Sequence, residues 1–411
     1  MTSPQPLKKK LKIFIIHPSD WLTDHLSIGD GLVAHGFLWE LAARGHDIHI
    51  ATRMSELHKP FPSNVTLYKL PQSTSARPFD RLEYMLRVRL LYHRLARQGP
   101  FDVAHQMNPV FAGLSLAMAG ARVPIVLGTY VPDWPDDPEG VISGKGLVRK
   151  LAQFAKNTIC LFQQSLAAAF LLTSPAARPR IVLGKSADRK IHYLEHGIHA
   201  DLFSPAADPD PTLPHTHKLL FLSNLRAKKG IYVLLEAFAE VLSLVGDCTL
   251  TIAGGGDEYD RVAAWIDAQP WRDRVTMHGR ITREQSVAFY RSHHVYTLPS
   301  FGEPYATTVI EAMSCGLPVV TTNAGGVPFL ILPGGGLAVP PRDPHALATA
   351  LAQLLLDRDL AHQMGERNRD RILAHNTWQA IVDKLEIIYE QVSRSHGSRQ
   401  LHPARSLPEL T

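Results

Sequence analysis

Two carboxylates stand eight residues apart in Pro299-Ser-Phe-Gly-Glu303-Pro-Tyr305-Ala306-Thr307-Thr-Val-Ile-Glu311-Ala-Met-Ser-Cys-Gly316, and Gly325-Gly326-Val-Pro328 follows. The apolar run ending at Leu298 reads as a strand and the stretch from Tyr305 or Ala306 to Cys315 as a helix closed by Gly316. Glu303 then precedes the helix and Glu311 falls near its second turn. First-turn N–H groups around Tyr305, Ala306 and Thr307 lack intrahelical acceptors, and the helix dipole adds positive potential, so a diphosphate could rest there. Carboxylates accept hydrogen bonds from paired hydroxyls, so each glutamate could hold one sugar. Taken alone, the pair also fits an ordinary helix, with Glu303 favouring the positive end and Glu311 solvated.

Further candidates sit where apolar runs end. Phe221-Leu-Ser-Asn224-Leu-Arg226-Ala-Lys228-Lys229-Gly230 offers three cations, and Ile252-Ala-Gly254-Gly-Gly256 and His278-Gly279-Arg280 are glycine turns. Gly254-x-Gly256 lacks the third glycine and the acidic residue ~20 positions further on that a dinucleotide fingerprint requires, which argues against NAD. Near the N-terminus, Ile28-Gly29-Asp30-Gly31 precedes a helical pattern over Ala34–Arg44, where glycine would allow close backbone approach to a ligand. His105, in Phe101-Asp102-Val-Ala-His105, could polarise a hydroxyl or serve as a hydrogen-bonded structural histidine. Tyr130 and the acidic, aromatic Asp133-Trp-Pro-Asp136-Asp137 suit a hydroxylated or cationic acceptor.

The segment from Glu303 to Pro328 resembles the nucleotide-sugar signature of retaining GT-B glycosyltransferases, family four (glycosyl transferases group 1). That signature is two glutamates separated by seven residues, a small-residue helix and a Gly-Gly-Val-Pro loop. Other segments follow the family's order, so the resemblance covers roughly residues 11 to 390. It implies a nucleoside diphosphate sugar as donor, with Glu311 on the ribose, Glu303 facing the transferred sugar and Lys229 on the phosphates. It further implies that the Gly29–Gly31 loop approaches the diphosphate, that Gly254 belongs to the family's glycine turn and that backbone near Arg280 meets the base. Three positions depart from the pattern: Asn224 replaces an arginine, with Arg226 or Lys228 as candidate substitutes, Met107 replaces a histidine, and Gly128-Thr129-Tyr130 replaces Thr-x-His. The resemblance implies hexose transfer with retention to a sugar, glycolipid or small-molecule hydroxyl, without cofactor or metal. Asp208-Pro-Asp210 is similar to a metal-binding DxD but lies in a proline-rich stretch, so no metal is assigned. The departures leave two alternatives: a non-catalytic nucleotide-sugar-binding partner, and a GT-B epimerase or phosphorylase.

These residues need a scaffold, and 411 residues are enough for two or three domains, each with its own core. With 45% hydrophobic and 20% charged residues, the composition is that of a folded cytosolic enzyme. Three scattered cysteines suggest neither disulfides nor a zinc site. The run Leu11–Ile16 is too short for a signal sequence, and Arg122 and Pro124 interrupt the most apolar long window, Val110–Gly128. Residues 1–205 hold 24 Lys and Arg against 16 Asp and Glu, whereas the remainder holds 19 against 22. A basic first half suits anionic partners. The arginine-edged apolar stripe Leu86–Arg97 suggests peripheral contact with an anionic inner-membrane face, or equally a core-packed helix with solvated arginines. Basic residues are not interleaved with aromatic platforms, which disfavours nucleic acid.

Short apolar runs alternate with helical patterns throughout, which argues for an α/β chain of parallel sheets covered by helices. Strands are expected at Lys12–His17, Asp47–Thr52, Val65–Lys69, Val103–Gln106, Ile125–Thr129, Ala169–Thr173 and Ile191–Tyr193, and again from Lys218–Ser223 onward. Four prolines between Phe203 and Pro214 mark a linker. The expected plan is a GT-B arrangement of two doubly wound Rossmann-like domains facing across a cleft. It comprises an acceptor-side domain over 1–205, a nucleotide-sugar domain over 206–376, a returning helix over 377–392 and a disordered tail over 393–411.

Overall fold

The computed structural model describes residues 9–17, 21–25, 29–70, 79–109, 113–132, 147–206, 217–331 and 334–401. In chain order the first elements are β1 (Lys12–His17), β2 (Leu22–Thr23), α1 (Gly29–Ala43), β3 (Asp47–Thr52), β4 (Ser55–Glu56), β5 (Val65–Lys69), α2 (Phe79–Ala96), β6 (Val103–Met107), β7 (Ile125–Tyr130), α3 (Leu147–Ser165), β8 (Ala167–Leu172) and β9 (Ile191–Tyr193). Then come β10 (His217–Leu222), α4 (Ile231–Val245), β11 (Cys248–Ala253), α5 (Tyr259–Asp267), β12 (Val275–Met277), α6 (Arg283–Ser292), β13 (Val295–Leu298), α7 (Thr307–Ser314), β14 (Val319–Thr322), α8 (Pro328–Ile331), β15 (Gly336–Val339), α9 (Pro344–Leu356), α10 (Arg358–His375) and α11 (Trp378–Leu401).

The chain divides into two units. Unit 1 comprises residues 1–130, 139–197 and 378–411, and unit 2 comprises 131–138 and 198–377. Unit 1 carries a seven-stranded sheet of order β5-β3-β1-β6-β7-β8-β9, and unit 2 a six-stranded sheet of order β12-β11-β10-β13-β14-β15. Every pairing among the described residues is parallel. Both orders reverse beside the first strand, which is the doubly wound pattern. β1 shows why such strands read as continuous apolar runs: Ile13 and Ile15 enter the core under α1 and α11, while Phe14 and Ile16 enter the core under α2.

The last helix is integral to unit 1. Trp378 packs so tightly that a Cβ on Gly36 would lie 2.0 Å from its ring, and one on Gly197 would lie 2.5 Å away. Arg44 donates to Asp383 (2.6 Å), Glu386 (2.8 Å) and Glu40 (3.0 Å), while the other Glu386 oxygen meets His46 Nε2 at 2.7 Å. Burial opposes ionisation of Glu386, but the hydrogen bonds from His46 and Arg44 outweigh it and hold this carboxyl below its ordinary range. In unit 2, Arg369 of α10 donates to the carbonyls of Ala200 (3.0 Å), Phe203 (2.8 Å) and Ser314 (2.8 Å). It thereby joins the entering segment to the end of α7, through charge-assisted bonds worth roughly 1.5–3 kcal/mol each.

Three boundaries differ from expectation. α1 begins at Gly29, not Ala34, because Asp30 can occupy a helical first turn and the buried Gly31 lets that turn pack on Trp21. The division between units falls at 197/198 rather than 205/206, since Phe203 is buried in the unit 2 core. α11 continues past residue 392 to Leu401, so the start of the expected tail is helical. The proline-rich residues 207–216 lie outside the described residues.

Candidate active site

In unit 2 the strand order reverses between β10 and β13, and the chain leaves both strands at the sheet edge where doubly wound folds bind ligands. After β10 it passes through a 3-10 turn, Ala227–Lys229, and reverses at Gly230 with φ 80°. After β13, residues 299–306 lead into α7. The two connections are fastened together: Phe301 N–H donates to the Lys228 carbonyl (2.9 Å), and a Cβ on Gly230 would stand 1.8 Å from the Pro299 oxygen. This fastening brings the Lys229 ammonium against the Glu303 carboxylate as an ion pair.

Glu303 is only 6% exposed. Its N–H donates to Ser300 Oγ (3.0 Å), and its carbonyl accepts the Gly326 N–H (2.8 Å). Cβ atoms on Gly325 and Gly326 would lie 2.4 Å from the Glu303 oxygen and 2.1 Å from the Pro304 oxygen, so the Gly-Gly step is a backbone clamp on this loop. Burial raises the Glu303 carboxyl above its ordinary range, against the attraction of Lys229 and Lys228. Of the two candidates to replace the cation missing at Asn224, Lys228 lies within electrostatic reach of Glu303, whereas Arg226 is exposed and starts the 3-10 turn.

Glu311, one helical face along on α7, accepts from the Tyr290 hydroxyl (3.0 Å). Burial pushes its carboxyl up to about 7, with Arg283 and the Tyr290 hydrogen bond pulling the other way. Ala306 is the N-cap of α7 and provides no side-chain cap, so Thr307 and its neighbours present first-turn N–H groups. Tyr305 is partly buried beside them. Gly254, with φ 137°, donates its N–H to the Gly279 carbonyl (2.7 Å), and a Cβ on it would stand 2.0 Å from the Ser223 oxygen. The exposed Arg280 runs along Gly255, where a Cβ would lie 2.6 Å from its Cγ. Unit 2 thus gathers Glu303, Glu311, Lys229, Gly254, Arg280, Tyr305, Ala306 and Thr307 around one sheet edge.

Unit 1 sorts its expected residues differently. Gly29 is exposed with nothing within 4 Å of an added Cβ, so a ligand can approach it, whereas Gly31 faces the Trp21 carbonyl at 2.4 Å and serves packing. Both belong to the first turn of α1 rather than to a preceding loop. The expected catalytic role of His105 is not supported: it is 1% exposed, with Nδ1 at 2.6 Å from the Tyr389 hydroxyl and Nε2 at 3.0 Å from the Gly128 carbonyl. Both ring nitrogens are occupied, and burial lowers its pKa to about 4, so this is a neutral structural histidine. Tyr130 likewise departs from its expected acceptor role, because it is buried in the core with its hydroxyl toward Gln164. Asp133, Asp136 and Asp137 lie outside the described residues.

The sequence reading overlooked Tyr290, Arg283 and Arg342. The first two stand seven apart, a spacing that places both on one face of α6. Arg342, in the left-handed region at φ 61°, lays its guanidinium 4.4 Å from the Phe301 ring centre.

Two doubly wound α/β units, with this carboxylate-and-lysine site on the second, define a GT-B glycosyltransferase fold. Solved structures agree: sucrose-phosphate synthase from Thermosynechococcus elongatus superposes with TM-score 0.69 at 21% identity, over 93% of this chain and 100% of that one. HepE from Anabaena, solved with UDP and glucose, gives 0.66 at 16% identity over 94% and 100%. Glycosyltransferase Family 4 matches residues 29–202 and Glycosyl transferases group 1 matches residues 210–371, and the chain belongs to this family. D-inositol 3-phosphate glycosyltransferase of Corynebacterium jeikeium is 30% identical over 52% of this chain and 55% of its own length. N-acetyl-alpha-D-glucosaminyl L-malate synthase of Bacillus anthracis is 24% identical over 89% and 94%. The chain spans about half the length of several other curated relatives, such as 52% of a Mycobacterium tuberculosis glycogen synthase.

Proposed function

We propose that this protein transfers a hexose-type sugar from a nucleoside diphosphate sugar to a hydroxyl acceptor with retention of configuration. The pairing of Lys229 with Glu303 beside the uncapped start of α7, with Glu311 further along that helix, carries the reading. Lys229, Lys228 and the first-turn N–H groups would stabilise the departing diphosphate. The anomeric carbon–oxygen bond to the diphosphate breaks, the acceptor oxygen bonds to the same face, and the acceptor proton passes to the departing phosphate oxygen. Glu303 would orient the transferred sugar and Glu311 the ribose. The donor base and the acceptor are left to experiment; two related structures of HepE contain UDP and UDP-glucose.

Thermal stabilisation by UDP, GDP, ADP and TDP, with NAD as control, tests the donor site, because ligand at 100 times its Kd adds about 2.7 kcal/mol to the folded state. One nucleotide should raise the melting temperature, and Glu311→Ala should remove the shift. No shift with any of them in folded protein would refute the reading. A non-catalytic nucleotide-sugar-binding role is the second reading, favoured by the enclosed His105 and by Asn224 where a cation would stand. Donor turnover with any acceptor excludes it.

Unit 1 also supports a lipid-borne acceptor and peripheral attachment to an anionic bilayer. Leu82, Leu86 and Leu90 project from α2 at successive turns, the last 72% exposed, and α3 exposes Phe154 (73%), Leu161 and Phe162. α3 contains Lys150 and Lys156 and no acidic residue. Both helices pack around the 3-10 turn Leu114–Met118, on the same side of the sheet. Among the described residues no helix is long and apolar enough to cross a membrane. Sedimentation with phosphatidylglycerol vesicles but not phosphatidylcholine vesicles is expected, with loss of binding on combining Leu86→Glu and Phe162→Glu. Equal partitioning to both vesicle types would remove the anionic-membrane reading.

A further inference from the structure

We infer that Tyr290 and Arg283 of α6 are positioning residues that hold Glu311 as an oriented carboxylate for recognition of ribose hydroxyls. This rests on the donor site proposed above. Tyr290 is fully buried, and its hydroxyl has a single described partner, Glu311 Oε2 at 3.0 Å. Its position fixes one carboxylate oxygen and leaves Oε1 to accept from a ligand. Arg283 leaves its buried Nε without a hydrogen-bond partner, and its guanidinium stands 5.2 Å from the Phe203 ring centre, within electrostatic reach of Glu311. The Tyr290 hydrogen bond and the Arg283 charge thus favour the ionised form of Glu311 against the burial that opposes it.

The chemistry explains why two supports are needed. An ionised carboxylate accepts from vicinal hydroxyls more strongly and with more acceptor positions, whereas a protonated one gives up an acceptor position to its own proton. Burial drives Glu311 toward protonation, up to about 7, and Tyr290 and Arg283 are the two groups that oppose it. The other groups facing it are Tyr296 of β13 and Cys315 at the end of α7. Burial raises both, Cys315 to about 12, so neither titrates between pH 6 and 9. Loss of the Tyr290 hydroxyl leaves ring volume unchanged but removes a bond to the charged form, so ionisation of Glu311 should move to higher pH.

Titration of UDP, GDP and ADP, each against its 2′,3′-dideoxy counterpart, over pH 6 to 9 tests the assignment. Because both members of a pair carry the same diphosphate, its own titration cancels in the affinity ratio. In the wild type, the preference for the ribose form should rise about tenfold from pH 6 to 8 as Glu311 ionises, the factor expected for one ionisation centred near 7. Tyr290→Phe should cut that preference about fivefold at pH 7, move its midpoint up by roughly one pH unit and recover most of it by pH 9. Arg283→Gln, which keeps a hydrogen-bonding side chain, should move the midpoint in the same direction, so the conclusion does not depend on one variant's folding. If the wild type binds a nucleotide and Glu311→Ala abolishes the ribose preference while Tyr290→Phe and Arg283→Gln leave ratio and midpoint unchanged, the positioning role is refuted and the donor site stands. If the wild type binds none of the three nucleotides, both fall together.

Discussion

Lys229→Ala is expected to lower kcat/KM for the donor by 10²- to 10³-fold, with the folded state retained. The estimate follows from removing one preorganised charged donor, worth about 2.7–4 kcal/mol where negative charge develops. The ammonium already lies against Glu303, so the variant would leave a carboxylate that is 6% exposed without its cation. Its pKa is already raised by burial, and protonation is the cheap way out. The lost cation should therefore appear in turnover and nucleotide affinity more than in melting temperature. Lys228→Ala, farther from the carboxylate pair, should cost about tenfold, a single unit of RT ln 10. Steady-state donor turnover beside thermal denaturation separates these effects. Lys229→Ala activity within threefold of wild type would remove this lysine from the mechanism.

Gly230→Ala should destabilise unit 2 by at least ~3 kcal/mol and abolish nucleotide binding. Two costs add: a left-handed conformation for a residue with a Cβ, about 1–2 kcal/mol, and overlap with an immovable backbone atom. That Cβ would stand 1.8 Å from the Pro299 oxygen, at the junction that sets Lys229 against Glu303. Relief requires the two connections to part, so stability and binding must fail together. Gly29→Ala is the internal contrast: an added Cβ meets nothing within 4 Å there, and its stability should stay within about 0.5 kcal/mol of wild type. Urea denaturation of both variants, read with nucleotide titration, checks the pair. A Gly230→Ala protein that binds nucleotide normally would contradict this account of the site.

Legibility in the sequence followed the reach of each interaction. The parallel strands were readable because burial on both faces leaves near-continuous apolar runs, as in β1 and β13. The Glu303–Glu311 segment was readable because strand, loop and helix lie consecutively, so spacing along the chain fixes geometry. His105 was not, since its decisive partner, Tyr389, is 284 residues away and no local pattern announces it. Tyr130 ends a strand buried along its whole length, and only neighbouring elements show that its ring turns inward. Gly325 and Gly326 were recognised as a motif, but only the backbone shows them gripping the loop that carries Glu303.

The return of α11 to unit 1 reverses the order in which this protein can be finished as it is made. Unit 2 is almost one unbroken stretch, 198–377, and can close as soon as that stretch has emerged. Unit 1 begins first, yet Gly36, Arg44, His46 and His105 all await partners between Trp378 and Tyr389. At 5–20 residues per second, synthesis of the roughly 280–340 residues that separate these partners takes roughly fifteen to seventy seconds. During that interval the apolar surface that Trp378, Ile381 and Leu385 will cover stays bare. The first-made half is thus the last to mature, and it is the nascent surface with the longest need of a chaperone.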